Sequence, residues 1–102
     1  DRGFVAITDR FETSVKGVYA IGDVAGNQML AHKGSREGHV LAELLGGAHT
    51  HPVNYANIPS CTYCHPEVAS IGLTEEQVKA KGIEYKVGKF PFSANGRART
   101  SG

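Results

Sequence analysis

Apolar residues come along this chain in short bursts, and the spacing within them changes twice. "GFVAI" (3–7) and "VYAIG" (18–22) are compact runs with β-branched and aromatic residues, separated by the turn formers of "TDRFETSVKG". Both read as strands. The unbroken apolarity of 18–22 predicts a strand buried on both faces, the habit of parallel sheets in α/β folds.

After the loop "DVAGNQ" the period lengthens to that of a helix over 30–45, stopped by Gly46 and Gly47. Leu30, Gly34, Leu41 and Leu45 share one face at helical spacing, while Lys33, Arg36, His39 and Glu43 take the wet side. Gly34 and Gly38 each cost about 1 kcal/mol relative to alanine, which predicts that something approaches this helix closely. "AHTHPVNYANIPS" then reads as a junction between a first domain, 1–50, and a second, 51–102. His49 and His51 lie in it without nearby carboxylates and read as ordinary loop histidines. Beyond it come a strand over 58–64, a second apolar stretch "VASIGL", and a capping box, Thr74 with Gln77, opening a two-turn helix that ends near Gly82. "IEYKVGKFPF" alternates as a further strand, and the text stops at "RTSG" with no closing element.

Composition narrows the function classes. Of 102 residues, 40% are hydrophobic and 21% charged, ordinary for a soluble protein, and a net charge of +1 leaves no footprint for nucleic acid or an acidic membrane surface. The basic stretch "KGIEYKVGKFPFSANGRAR" reads as a solvated surface. No apolar run approaches the ~20 residues of a membrane span. Two cysteines argue against a disulfide-stapled secreted scaffold, so the expected address is cytoplasmic. The chain starts at Asp1 without methionine and reads as a piece of something longer.

"CTYCH" (61–65) offers three chemistries: c-type haem attachment, a redox dithiol, or half a zinc site. Pro59 and Pro66 flank it and disfavour a helix, leaving an extended backbone. Residues three apart on a strand point to opposite faces with α-carbons roughly 10 Å apart, whereas a disulfide needs about 4.4–6.8 Å. A zinc site would also lack a second Cys-x-x-Cys, with only His49, His51 and His65 as partners. Cys61 and Cys64 are therefore expected as small buried residues of a sheet, with no metal site and no catalytic residue. A non-enzymatic metal or haem module on Cys61, Cys64 and His65 is the alternative from another class.

Stronger chemistry lies upstream, in "TSVKGVYAIGDVAG". Asp23 falls just past the carboxyl end of the predicted strand, where open α/β sheets bind ligands. Gly22 lets a ligand approach the backbone, and the Asp23 carboxylate can accept a hydrogen bond from a sugar or polyol hydroxyl. The helix that begins between Met29 and His32 points its free N–H groups and positive dipole end at the same crevice.

These residues carry a resemblance. "TSVKGVYAIGDVAG" resembles the second FAD-binding signature of the two-dinucleotide-fold flavoprotein disulfide reductases, and "MLAHKGSREG" is similar to the segment after it in that family's dihydrolipoamide dehydrogenase branch. "HPEVASIGLTEEQ" and "KFPFSANGRA" resemble the start of the family's interface domain, so the likeness covers nearly the whole chain. It implies an α/β fold: the end of a FAD-binding Rossmann-like domain followed by the start of an α+β interface (dimerisation) domain. It implies that Asp23 binds the ribityl chain of FAD and that the backbone from Met29 through Leu30 and Ala31 to His32 lies against the pyrimidine side of the flavin.

It further implies a parent that oxidises protein-bound dihydrolipoamide and reduces NAD, as a homodimer working on lipoyl domains of 2-oxo acid dehydrogenase complexes. A mercuric or glutathione reductase type is the alternative parent. The family's G-x-G-x-x-G, NAD-binding domain, redox-active cysteine pair and carboxy-terminal His and Glu are not in these 102 residues, so the piece alone is expected to be inactive.

Overall fold

In the computed structural model, which describes residues 2–101, neither of the first two apolar runs becomes a strand of a parallel sheet. Residues 3–7 are irregular, tied down at Val5, whose N–H donates to Val24 O at 2.8 Å. Residues 18–20 fold back antiparallel onto 11–13: Thr13 N–H donates to Val18 O (2.9 Å) and Ala20 N–H to Phe11 O (3.0 Å). Gly17 closes that turn at φ +80°, a conformation open to glycine without a Cβ clash. A strand buried on both faces needs neighbours on both edges, and no described segment supplies them. Val18 is exposed in consequence.

The helix predicted over 30–45 forms as α1, Ala31–Leu45, with Leu30 as its extended N-cap residue. Its buried stripe differs from the predicted one. Leu45 is exposed, while Lys33, assigned to the wet side, is fully buried together with Glu37 and Val40. The three share one face at i, i+4 and i+7, and Lys33 and Glu37 meet a 3-10 turn over Gly22–Ala25 whose backbone polar groups need partners. The expected close approach is there. A Cβ on Gly34 would lie 3.3 Å from Gly22 Cα, and one on Gly38 would lie 3.3 Å from Ile21 Cδ1. Phe11, Val40 and Ile58 are the buried hydrophobic residues among those described.

The junction segment carries a second 3-10 turn, Tyr55–Asn57, capped by the Asn54 side chain accepting from Ala56 N–H at 3.1 Å. The strand predicted over 58–64 is shorter. β1, Ser60–Thr62, pairs antiparallel with β2, Val68–Ser70, placing Cys61 opposite Ala69. Because the chain turns back after Thr62, Cys64 leaves the strand: it is exposed, with its Sγ–H directed at Pro66 O (3.0 Å), and Cys61 is only half-buried. The expectation of two buried cysteines is corrected accordingly, and both thiols are free.

Compact units divide after Gly72. In the second unit the capping box forms in both directions, Gln77 N–H to Thr74 Oγ1 (3.2 Å) and Thr74 N–H to Gln77 Oε1 (2.9 Å), and opens α2, Glu75–Ala80. The helix stops at Gly82, φ +67°, whose left-handed conformation lets Ile83 N–H return to Val78 O at 3.2 Å. Residues 83–90 do not pair as the predicted strand; Tyr85 is anchored through its hydroxyl to Glu75 Oε1 (2.8 Å). Alternation predicts a strand only where another edge is present, and among the described residues this segment has none. The chain also gains a helix that the sequence reading left out: α3, Gly96–Thr100, capped by Asn95 accepting from Ala98 N–H (3.1 Å).

Candidate functional site

Asp23 occupies the 3-10 turn Gly22–Ala25, and two charged side chains of α1 clamp that turn from beneath. Lys33 Nζ donates to Gly22 O (2.9 Å) and to Gly26 O (2.7 Å), the residues bracketing the turn. Glu37 Oε1 accepts from Gly22 N–H (3.0 Å) and pairs with Lys33 Nζ at 2.9 Å. From the junction segment, Tyr55 Oη–H donates to Glu37 Oε2 at 2.7 Å. Both carboxylate oxygens of Glu37 are thus used, as a buried charge requires. Burial pushes the Tyr55 hydroxyl well above the ordinary tyrosine range, and the hydrogen bond and negative charge of Glu37 push it further.

The geometry exposes what the clamp does not hold. The Asp23 side chain faces solvent and has no hydrogen-bond partner among the described residues. Gly22, at φ +77°, turns the backbone so that its N–H and C=O both point into the clamp. At the start of α1 no side chain caps the helix, so the N–H groups of Ala31 and His32 are left as donors. Met29 projects outward, 63% exposed, and Leu30 is half-buried in extended backbone. Because Lys33 lies in the first turn of α1 and grips Gly22 and Gly26, the Asp23 turn and the helix start form one assembly. An exposed carboxylate on the same assembly as unpaired N–H donors suits a ligand that presents both hydroxyls and acceptor oxygens.

All five candidate site residues, Asp23, Met29, Leu30, Ala31 and His32, lie on this assembly. His32 departs from it through its side chain: Nε2 sits 2.7 Å from Pro59 O, and since a carbonyl only accepts, the proton is on Nε2. Its ring belongs to an open cavity of about 430 Å³ whose lining includes Arg36, His51 and Asn54. On the outer side of α1, Glu43 accepts a hydrogen bond from Thr50 Oγ1 and pairs with His39 at 3.0 Å, and the Thr50 bond holds its carboxyl below the usual range.

Lys33 and Glu37 do not stand out in the sequence because a charged i, i+4 pair on a helix ordinarily marks a wet face, and Tyr55 lies in a junction segment with no signal of its own. The available signal was the pair of glycines directly after each charge, Gly34 and Gly38, which allow another backbone to sit over that stripe. Among the described residues no group of three His, Cys, Asp or Glu side chains could hold a metal ion, and no helix is long and apolar enough to cross a membrane.

Residues 1–38 match the pyridine nucleotide-disulphide oxidoreductase family, and residues 58–102 match the dimerisation domain of that family. The chain is 52% identical over 103 residues to a dihydrolipoyl dehydrogenase of Zymomonas mobilis, covering all of this chain and 22% of that one. It is 51% identical over 100 residues to the mitochondrial dihydrolipoyl dehydrogenase of Homo sapiens, covering 98% of this chain and 19% of that one. Among solved structures it is similar to the HOCl-induced flavoprotein disulfide reductase RclA from Escherichia coli, with a TM-score of 0.82 and 25% identity over 99% of this chain and 23% of that one. The chain spans about a fifth of the length of these relatives. Its fold class is α/β, the end of a dinucleotide-binding domain followed by the start of a dimerisation domain.

Proposed function

The chain belongs to the pyridine nucleotide-disulphide oxidoreductase family, and from that premise we propose that it is the segment of a dihydrolipoyl dehydrogenase that holds the ribityl and pyrimidine parts of FAD and begins the dimer interface. The enzyme reoxidises protein-bound dihydrolipoamide and reduces NAD. The observation that carries the assignment is the Asp23 carboxylate, presented to solvent on a turn held from below at Gly22 and Gly26.

The residues fit the cofactor. Asp23 would accept a hydrogen bond from a ribityl hydroxyl, and the uncapped N–H groups of Ala31 and His32 would serve the acceptor oxygens of the pyrimidine ring, with the helix dipole favouring negative charge there. Met29 and Leu30 contribute backbone and an apolar edge. Bound FAD supplies the redox centre between thiols and nicotinamide. None of the 102 residues acts as acid, base or nucleophile in that scheme, and Cys61 and Cys64 take no part in it.

A mercuric or glutathione reductase type is the second parent; "MLAHKGSREG" favours the lipoamide enzyme, as does 52% identity to a protein of that name. We place the boundary between the two domains at residues 50 and 51, inside the stretch neither family match covers. Partners follow: a second copy through residues 58–102, and lipoyl domains of 2-oxo acid dehydrogenase complexes. The address proposed is cytoplasmic, whereas several relatives carry a mitochondrial one in their names; cell fractionation separates the two.

Asp23→Ala in a full-length protein carrying this chain tests the assignment. One charge-assisted hydrogen bond is worth about 1.5–3 kcal/mol, so FAD affinity measured by flavin fluorescence on titration falls ten-fold or more. Unchanged affinity overturns the role of Asp23.

A further inference from the structure

We infer that Lys33, Glu37 and Tyr55 are positioning residues for the cofactor, a buried three-part clamp that fixes the Asp23 turn and ties its geometry to the junction segment. The inference rests on the FAD role proposed for Asp23 and extends it to residues that touch no ligand. Two features set the clamp apart from ordinary core packing. Lys33 and Glu37 are fully buried charges, and replacing such a pair by apolar side chains is often neutral or stabilising. Their hydrogen bonds go to the backbone on either side of Asp23, at Gly22 N–H, Gly22 O and Gly26 O, and so fix where that carboxylate stands.

Tyr55 makes the third arm. It lies in the 3-10 turn of the junction, 18 residues beyond Glu37, and its hydroxyl takes up the remaining Glu37 oxygen. A displacement of the junction therefore pulls on Glu37, and through it on Gly22. Gly34 removes the Cβ that would otherwise keep helix and turn apart, so the clamp works over backbone contact with no side chain between.

A double-mutant cycle in the FAD-loaded full-length protein tests this. Glu37→Gln keeps the shape and loses the charge; Tyr55→Phe removes a single hydroxyl and leaves the ion pair in place. Expected results are FAD affinity about ten-fold weaker for Glu37→Gln and about three-fold weaker for Tyr55→Phe, a changed visible flavin band, and less than multiplicative losses when either is combined with Asp23→Ala, since residues acting as a unit are not additive. If Glu37→Gln does not fold, Tyr55→Phe and its cycle with Asp23→Ala decide alone. Affinity within two-fold in Tyr55→Phe, or multiplicative losses in the combination, overturns the clamp while leaving the Asp23 assignment standing. An Asp23→Ala protein that binds FAD normally removes that assignment and the clamp's role with it.

Discussion

Gly34 and Gly38 occupy the same face of α1, and both would place a new Cβ 3.3 Å from a neighbour, yet the neighbours differ. At Gly34 the neighbour is Gly22 Cα, backbone that Lys33 and Glu37 hold from both sides, so it has nowhere to move. At Gly38 it is the end of the Ile21 side chain, which can turn away. Alanine removes about 1 kcal/mol of helix penalty at either site. We predict that Gly38→Ala in the full-length protein leaves the melting temperature unchanged or raised, and that Gly34→Ala lowers it and weakens FAD binding; equal effects at the two sites would contradict the packing. Tyr55 makes a pH prediction at the same scale. Its folded pKa is raised above the ordinary value of 10.0. The stability it contributes is thus complete below that pH and is lost as pH rises past it, because the unfolded chain then ionises while the folded one does not. Thermal melts between pH 9 and 11 should fall more steeply for the native protein than for Tyr55→Phe. The charge of Asp23 and its place after an apolar run were legible in the sequence; the partners of Lys33 were not, because burial of an i, i+4 pair depends on what packs over it.

Elements whose signals are local came out where the sequence put them. α1 and the Thr74 capping box are written in residues three or four apart, whereas α3, which the apolar pattern does not predict, rests on Asn95 as an N-cap in front of Arg97 and Ala98. Strands need a partner that the local pattern cannot name. Residues 18–22 and 83–90 have strand composition and remain unladdered or pair differently, and 58–64 is cut short by the turn at 63–67. The capping box also carries a prediction. α2 has six residues and no buried one, so it is held by its cap and by the contacts of Glu75 with Tyr85 and Lys79. Thr74→Ala should cost about 1 kcal/mol, while Thr74→Ser keeps an equally good cap and leaves stability unchanged, read as faster amide exchange through 75–80 in the alanine variant alone. Equal exchange in both would show that tertiary contacts, not the cap, hold this helix.

At the scale of the whole chain, the division between buried and exposed apolar groups decides how it behaves alone. Phe11, Val40 and Ile58 are the buried hydrophobics among the described residues, while Val15, Met29, Leu45, Ile71, Phe90 and Phe92 are each more than 60% exposed. Burial of apolar surface is the dominant favourable term of folding, and so small a set of buried side chains supplies little of it. The buried ion pair adds little, since desolvation cancels most of its attraction. Marginal stability of about 5–15 kcal/mol is a small remainder of large terms, and here the favourable term is mostly missing until other surfaces cover these groups. We therefore predict that the 102-residue chain expressed alone shows a broad, non-cooperative melt, binds a hydrophobic dye, carries no flavin absorbance and has no dihydrolipoamide oxidation activity. A sharp melt with bound FAD from a monomer in sedimentation would overturn this prediction.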